Sequence, residues 1–426
     1  MGPWLIVGFL ALVAFNMPIA CALTVICAFA ILIIPDMPLT LIPQRLFTGS
    51  DVFILLAVPF FILAGQIMDQ GGVARRVIRV ADDSTRFITG GLGHVTVVAN
   101  MFFAGISGAA VADTAALGPL CIPMMVHGGF PRDYSTALVA VASVIGIIIP
   151  PSIPMVIYGM VVSESITRLF LGGMIPGILI GLSLMVVNYY KARKYHWGAR
   201  RPFSLWDLLS SLRQGILALI MPGIIVGGIL SGIFTPTEAA VIAVVYAILV
   251  AMLAFRELPP GRLPKVLIDA AKSTAVIMYI IAAAGLFAWI LTFLQLHVQV
   301  YQIMTSITSN RSILLCLIVV VYLLAGFVMD LAANIIILVP IFMPLIRYIG
   351  LDLTHFGLIT IVALAIGLIT PPVAMCTIVA SQIGGVPIQV VFRASFPMLA
   401  AILVVLVLIM FVPDAVLLVP RLLMRW

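Results

Sequence analysis

One aspartate, Asp113, stands in a stretch that is otherwise small or apolar, Ala104-Gly-Ile-Ser-Gly-Ala-Ala-Val-Ala-Asp-Thr-Ala-Ala-Leu-Gly118. Glycines at 105 and 108 permit a turn that leaves the helical hydrogen-bond pattern. A carboxylate at membrane depth costs about 2.5–3.5 kcal/mol on insertion scales, so it normally has a role. The chemistry this suits is that of a hard cation and an anion. Backbone carbonyls freed at such a turn ligate the first, and the N-termini of half-helices face the second. Two readings of Asp113 stay open: it sits beside a sodium ion or orders the turn, or it caps a helix starting at Thr114. A second constellation, Ala325-Gly-Phe-Val-Met-Asp330-Leu-Ala-Ala-Asn334, sets Asp330 and Asn334 four apart, on one face if the stretch is helical. Two Pro-Pro pairs complete the set, Pro150-Pro151 within Gly146–Ser152 and Pro371-Pro372 within Gly367–Val373. Tandem prolines interrupt a helix and free carbonyls upstream, around Gly146, Ile147, Gly367 and Leu368. A single pair reads as readily as a packing kink; two pairs in matching places argue for breaks.

The places match because the chain repeats. Ala104–Pro176 recurs as Ala325–Pro397 at an offset of 221 residues, without a gap. The first window holds seven prolines and the second six, and five coincide, against about 0.6 expected by chance; a long fixed period marks a duplicated architecture. Asp113 falls on Asn334. In an apolar chain, a repeat whose shared residues are helix breakers points to a secondary transporter.

Composition agrees. Of 426 residues, 64% are hydrophobic and 9% charged, with a mean hydropathy of +1.29; a soluble domain carries about 25% charged residues. Apolar runs long enough to cross a bilayer recur along the chain, from Trp4–Pro35, one kinked helix or two, to Leu399–Val412. The chain opens with no basic stretch, so its first apolar run is expected to be retained rather than cleaved. Five cysteines lie in apolar surroundings and read as small core residues. The net charge of +7 gathers in short stretches between apolar runs, including Arg75–Arg86, Lys191–Arg201 (with Arg200) and Arg256–Lys265. That pattern is no nucleic-acid signal; it places those stretches in the cytoplasm.

Fixing Lys191–Arg201 inside and counting crossings outward puts Gly71–Gly90, with four arginines, inside and His297–Asn310, with no Lys or Arg, outside. Corresponding connections thus lie on opposite faces, the mark of inverted repeats. The expected organisation is residues 1–195 as the first repeat, 196–212 as a basic cytoplasmic linker and 213–426 as the second repeat. Each repeat holds a re-entrant helical hairpin, at about 94–128 and 312–348, since open backbone at membrane depth survives only where it is buried in protein or lines a wet cavity. Val73–Ile88, with Val73, Val77, Val80 and Phe87 among charged residues, reads as an amphipathic helix in the interface or as a solvated loop. Thr235-Pro-Thr-Glu238 reads as a capping box, with Met17-Pro18 as its mate, and Gln66 and Asp69 as facing the cytoplasm. No phosphate loop, zinc-ligand spacing, nucleophile–base pair or polar ring is present, so neither an enzyme, an ATP-driven pump nor a channel is supported. Arg168, Arg347 and Arg393 fall near helix ends, which leaves recognition of an anion to helix N-termini and hydroxyls.

Gly105-Ile-Ser-Gly-Ala-Ala-Val-Ala-Asp-Thr-Ala-Ala-Leu-Gly118, Ile148-Ile-Pro-Pro-Ser152, Phe234-Thr-Pro-Thr-Glu-Ala-Ala240 and Ile369-Thr-Pro-Pro-Val373 together resemble the large membrane subunit of the tripartite ATP-independent periplasmic (TRAP) transporters, over essentially the whole chain. The resemblance implies an all-α polytopic inner-membrane protein with a scaffold and a mobile transport domain, working as a sodium-coupled elevator. It implies a small four-helix membrane subunit as a separate chain, a periplasmic substrate-binding protein, and an organic acid substrate such as a dicarboxylate, keto acid or sialic acid. The implied sodium sites fall on Ser107, Gly108, Asp113, Gly146, Pro150, Pro151 and Ser152, and on Gly326, Asp330, Asn334, Gly367, Thr370, Pro371 and Pro372. The acid would lie between the hairpin tips, near Ser107, Gly108, Asp113, Thr114, Asp330 and Asn334. Where the family signature often has a second serine, this chain has Ala109. A stand-alone sodium–dicarboxylate carrier of similar build is the alternative.

Overall fold

The computed structural model describes residues 2–15, 17–35, 37–198 and 201–424; Arg200 of the basic linker lies outside them. All regular structure among the described residues is helical. The N-terminal run forms two helices, α1 (Gly2–Ala14) and α2 (Ile19–Ile33), with Pro18 as the residue that precedes the second. Next come α3 (Leu41–Ser50), a 3-10 turn at Phe53–Leu56 and α4 (Ala57–Gln70). The amphipathic α5 (Val73–Thr85) leads to the first hairpin, α6 (Gly91–Ser107) and α7 (Ala110–His127). A broken helix follows, α8 (Arg132–Ala142) with a 3-10 extension at Ser143–Ile147, then α9 (Ile153–Val162), and the long α10 (Ile166–Tyr195) closes this half.

The second half repeats the order: α11 (Leu205–Leu230), α12 (Pro236–Leu249) with a π turn at Val250–Ala254, α13 (Leu263–Phe293) and α14 (Leu296–Ile307). Its hairpin is α15 (Arg311–Val328) and α16 (Leu331–Tyr348), and its broken helix is α17 (Leu353–Gly367) and α18 (Met375–Gly384). The chain ends in α19 (Ile388–Phe411) and α20 (Asp414–Leu423). Helices α7 and α16 begin and end 221 residues apart. The halves differ where α3, its 3-10 turn and α4 correspond to the single α13, and α11 begins inside the stretch read from the sequence as linker. Among the described residues nine helices are long and apolar enough to cross a membrane, so the chain is multi-pass.

Helix α10 shows how the hairpins are oriented. Near its start, Arg168 pairs with Asp352 at 2.7 Å, just beyond the end of α16. Near its end, Asn188 Nδ2 donates to the carbonyl of Gly90 at 2.9 Å, at the base of α6. At 1.5 Å per residue these points lie about 30 Å apart, one bilayer core. The two hairpins therefore insert from opposite ends. The Gly90 end carries Lys191, Arg193 and Lys194 and is the cytoplasmic one.

Local chemistry explains the joints. At α12 the capping box forms: Glu238 N–H donates to Thr235 Oγ1 at 3.3 Å, and Thr235 N–H to Glu238 Oε2 at 2.8 Å. Its suggested mate lacks this device, since Pro18 caps α2 with no side-chain bond. In α5, Val73, Val77 and Val80 are buried, whereas Phe87 lies past the helix end and meets the ring of Phe203 at 5.4 Å. Arg76 holds α5 to the end of the α12 segment, 2.6 Å from Glu257 and 3.7 Å over the Phe255 ring. The stretch at His297–Asn310 is mostly helix, not connection. Its Tyr301 lies 5.7 Å from Tyr348 at the end of α16. Cys27, Cys121 and Cys376 are buried as expected; Cys316 is exposed on α15, a position that faces lipid in a spanning helix.

Candidate functional site

The first site forms where the tip of the α6–α7 hairpin meets the α8–α9 break. Helix α6 ends at Gly108 with φ +65°. Glycine is needed there, because an added Cβ would come within 2.8 Å of the Pro151 carbonyl. Ile153 N–H donates to the Gly108 carbonyl at 3.3 Å, tying the tip to the break. Helix α7 starts at Ala110, with Ala109 as an N-cap that offers no side-chain bond. Asp113 is therefore not the N-cap of a helix starting at Thr114. It lies one turn inside α7, and its fully buried carboxylate accepts from Ser107 Oγ through Oδ1. Its other oxygen, Oδ2, is buried with no hydrogen-bond partner. Gly146 lies against that oxygen, and an added Cβ would run into it. Ser152 serves the fold: its hydroxyl donates to the Ile147 carbonyl at 2.6 Å and caps α9. Thr114 is likewise engaged, donating to the Ala110 carbonyl at 3.0 Å.

The second site is the counterpart at the α15–α16 tip and the α17–α18 break. Asn334 is fully buried, and its Nδ2 donates to the carbonyls of Met329 at 3.0 Å and Ala325 at 3.2 Å, closing the tip. Its Oδ1 is buried with no partner. Val373 N–H donates to the Phe327 carbonyl at 3.2 Å, a tip-to-break tie one to two positions away from that of the first half. Gly326 and Gly367 make the closest approach, and an added Cβ on Gly367 would run into the Gly326 carbonyl. Thr370 donates to the Ile366 carbonyl at 2.8 Å. Both Pro-Pro peptide bonds are cis. Asp330 is engaged differently from Asn334: as N-cap of α16 it accepts from Ala332 N–H at 2.9 Å. Its residue lines a gap of about 150 Å³ between the two tips, opposite Gly108, Ala109 and Val111.

That gap shares Ala109, Val111 and Ile277 with a larger chamber of about 440 Å³ on the cytoplasmic side. Gln66 and Asp69 of α4 and Asp269 and Ser273 of α13 form its polar wall, and Gln66 Nε2 donates to Ser273 Oγ at 3.2 Å. The sequence reading had Gln66 and Asp69 simply facing the cytoplasm; Asp269 and Ser273 it missed, although their i, i+4 spacing on one face was a readable signal. No basic residue lines either space among the described residues. Each tip leaves one buried side-chain oxygen without a hydrogen-bond partner, Asp113 Oδ2 and Asn334 Oδ1, and oxygen is the donor a hard cation takes. The bare N-terminus of α7 suits an anion, whereas that of α16 is already occupied by the Asp330 carboxylate.

Comparison with known proteins adds four findings. A family model described as the DctM component of the tripartite ATP-independent periplasmic transporter matches residues 6–415. The 2,3-diketo-L-gulonate TRAP transporter large permease protein YiaN of Escherichia coli is 38% identical over 407 residues, 95% of this chain and 96% of the relative. The C4-dicarboxylate TRAP transporter large permease protein DctM of Pseudomonas aeruginosa is 40% identical over 377 residues, 88% of each. Among solved structures, that of the Alcanivorax borkumensis YdaH transporter superposes with a TM-score of 0.60 at 14% identity, over 90% of this chain and 87% of the other. At that identity the likeness concerns the fold alone.

Proposed function

The chain belongs to the DctM family, the large permease component of the tripartite ATP-independent periplasmic transporters, and from that premise we propose that it carries an organic acid anion into the cell by sodium symport. It is a multi-pass inner-membrane permease. The observation that carries the sodium reading is a pair of orphans. Asp113 Oδ2 and Asn334 Oδ1 occupy the same repeat position, each buried at a hairpin tip with no partner. Leaving a buried polar atom unmet costs about 1–3 kcal/mol, and a bound cation relieves that cost in both halves at once. Ser107, Asp113 and Gly146 would hold one ion, with carbonyls near Pro150 and Pro151. Gly326, Asn334 and Gly367 would frame the other, with carbonyls near Thr370, Pro371 and Pro372.

The acid then lies in the gap between the tips, its carboxylate toward the uncapped N-terminus of α7. Cations at the tips supply the positive charge that no lining side chain provides. Each ion also braces the tie between tip and break, so ion and acid bind the same ordered state. Coupling of this kind is typically worth about 1–3 kcal/mol. The hairpins and broken helices would move as a body past α4 and α13, in the elevator manner. A small membrane subunit and a periplasmic binding protein complete the system.

The test is uptake into proteoliposomes of labelled succinate, pyruvate, N-acetylneuraminate and gluconate, with and without the two partners. Uptake of one of these acids that needs an inward sodium gradient and both partners supports the reading. Uptake by this chain alone would instead make it a stand-alone carrier, and uptake indifferent to sodium would defeat the symport claim.

A further inference from the structure

A cleft at the outer ends of the helices differs in charge from the cytoplasmic chamber. It has a volume of about 600 Å³ and is lined by Ser163, Thr292, His297, Pro340, Pro344 and Arg347, among others. Its position is fixed by Ser163 between α9 and α10, at the end of α10 away from the basic linker. The cytoplasmic chamber carries Asp69 and Asp269, and the gap between the tips carries Asp330. This outer cleft carries Arg347 and His297 and no acidic residue.

Arg347 takes part in none of the ion pairs formed among the described residues. On the same face, Arg168 is held by both Glu164, at 3.4 Å, and Asp352, at 2.7 Å. His297 Nδ1 is buried with no partner. Thr292 donates its hydroxyl proton to the Ala288 carbonyl at 2.8 Å, which leaves its oxygen able only to accept there. Arg347 and His297 line the same cleft, and a free guanidinium is a carboxylate receptor, since arginine presents a planar fork of donors to two oxygens at once.

We propose that this outer cleft is a staging site that captures the carboxylate of the incoming acid before it reaches the hairpin tips, with Arg347 and His297 as its binding residues. The inference rests on the organic-acid reading above. Charge of opposite sign at the two ends gives it a purpose. A basic cleft concentrates an anion on the outside, and an acidic chamber discourages its return from the inside; a cleft lined by one sign of charge raises on-rates by roughly 10- to 1000-fold. An arginine in the last turn of a helix also meets the negative helix end. Arg347→Lys keeps that structural role and loses the fork, which separates the two.

The test uses the reconstituted complex with its partners, saturating sodium, and the acid that the uptake assay identifies. Arg347→Gln is expected to raise KM about tenfold, with kcat within twofold and a weaker dependence of KM on ionic strength; Arg347→Lys should be intermediate. In parallel, Thr292→Cys is placed in a Cys316→Ser background and labelled with an anionic methanethiosulfonate. Excess acid should slow this labelling when Arg347 is present and not in Arg347→Gln. An unchanged KM, or no protection at concentrations that saturate uptake, overturns the staging site. So does an equal loss of docking by the empty binding protein, which would make Arg347 a protein contact. Wild-type uptake that ignores sodium would count against the symport reading and leave these comparisons readable.

Discussion

The close approach of Gly326 and Gly367 offers a sharp comparison, because the two glycines face each other with unequal room. A Cβ on Gly326 would meet its nearest neighbours, Gly367 Cα and the Leu364 carbonyl, at 3.4 Å, an ordinary contact. A Cβ on Gly367 would run into the backbone carbonyl of Gly326. Backbone cannot rotate aside as a side chain does, so Gly367→Ala must push hairpin α15–α16 away from the α17–α18 break. Overpacking of this kind costs about 1–3 kcal/mol. If that strain falls on the state that binds the second cation, the sodium concentration for half-maximal uptake rises roughly 5- to 150-fold. Gly326→Ala should shift it by less than about threefold, since a tolerated contact costs well under 1 kcal/mol. The assay is sodium-dependent uptake in proteoliposomes, with thermal unfolding in detergent to confirm that both variants fold. Equal behaviour of the two variants, or a wild-type sodium response in Gly367→Ala, would refute the claim that this approach shapes a cation site.

Other substitutions separate ion binding from stability. Asp113→Asn keeps the shape of the first site and removes its charge, so half-maximal uptake should need at least about tenfold more sodium; an unchanged sodium curve would remove Asp113 from the site. Asn334→Ala deletes two hydrogen bonds that close the second tip; at about 1 kcal/mol each, it should lower thermal stability as well as sodium affinity. Glu238→Ala dissolves the capping box of α12 and should lower the thermal unfolding temperature slightly with no change in sodium response. Arg76→Ala loses a part-buried ion pair and a ring contact, together worth about 1–2 kcal/mol, and limited proteolysis should find α5 easier to cleave.

The parts legible in the sequence were those set by backbone-breaking residues. Gly108 and the two Pro-Pro pairs marked the tips and breaks, because glycine and proline state their geometry without help from neighbours. Charge placement marked the cytoplasmic ends for a similar reason: it depends on position along the chain, not on packing. What the sequence could not disclose depends on which groups meet across the fold. Asp113 left two readings open, a residue beside an ion at the tip or the cap of a helix starting at Thr114, because aspartate favours caps; the chain turns four residues earlier, at Ala109. Helix α14 was read as connection because Leu296–Ile307 mixes polar residues with apolar ones, and its contact with α16 is not written locally. Gln66 and Asp69 sit near a helix end and looked merely solvated; only the approach of α13, with Asp269 and Ser273, makes them walls of a chamber.

The most direct measurement is the initial rate of acid uptake by the reconstituted three-part system as sodium is varied at constant ionic strength. Two tip sites acting together predict a sigmoidal curve with a Hill coefficient above one, reduced toward one by Asn334→Ala and by Asp113→Asn. A flat response, with uptake as fast in potassium as in sodium, would contradict the reading that the opened backbone at each hairpin tip holds a coupling ion.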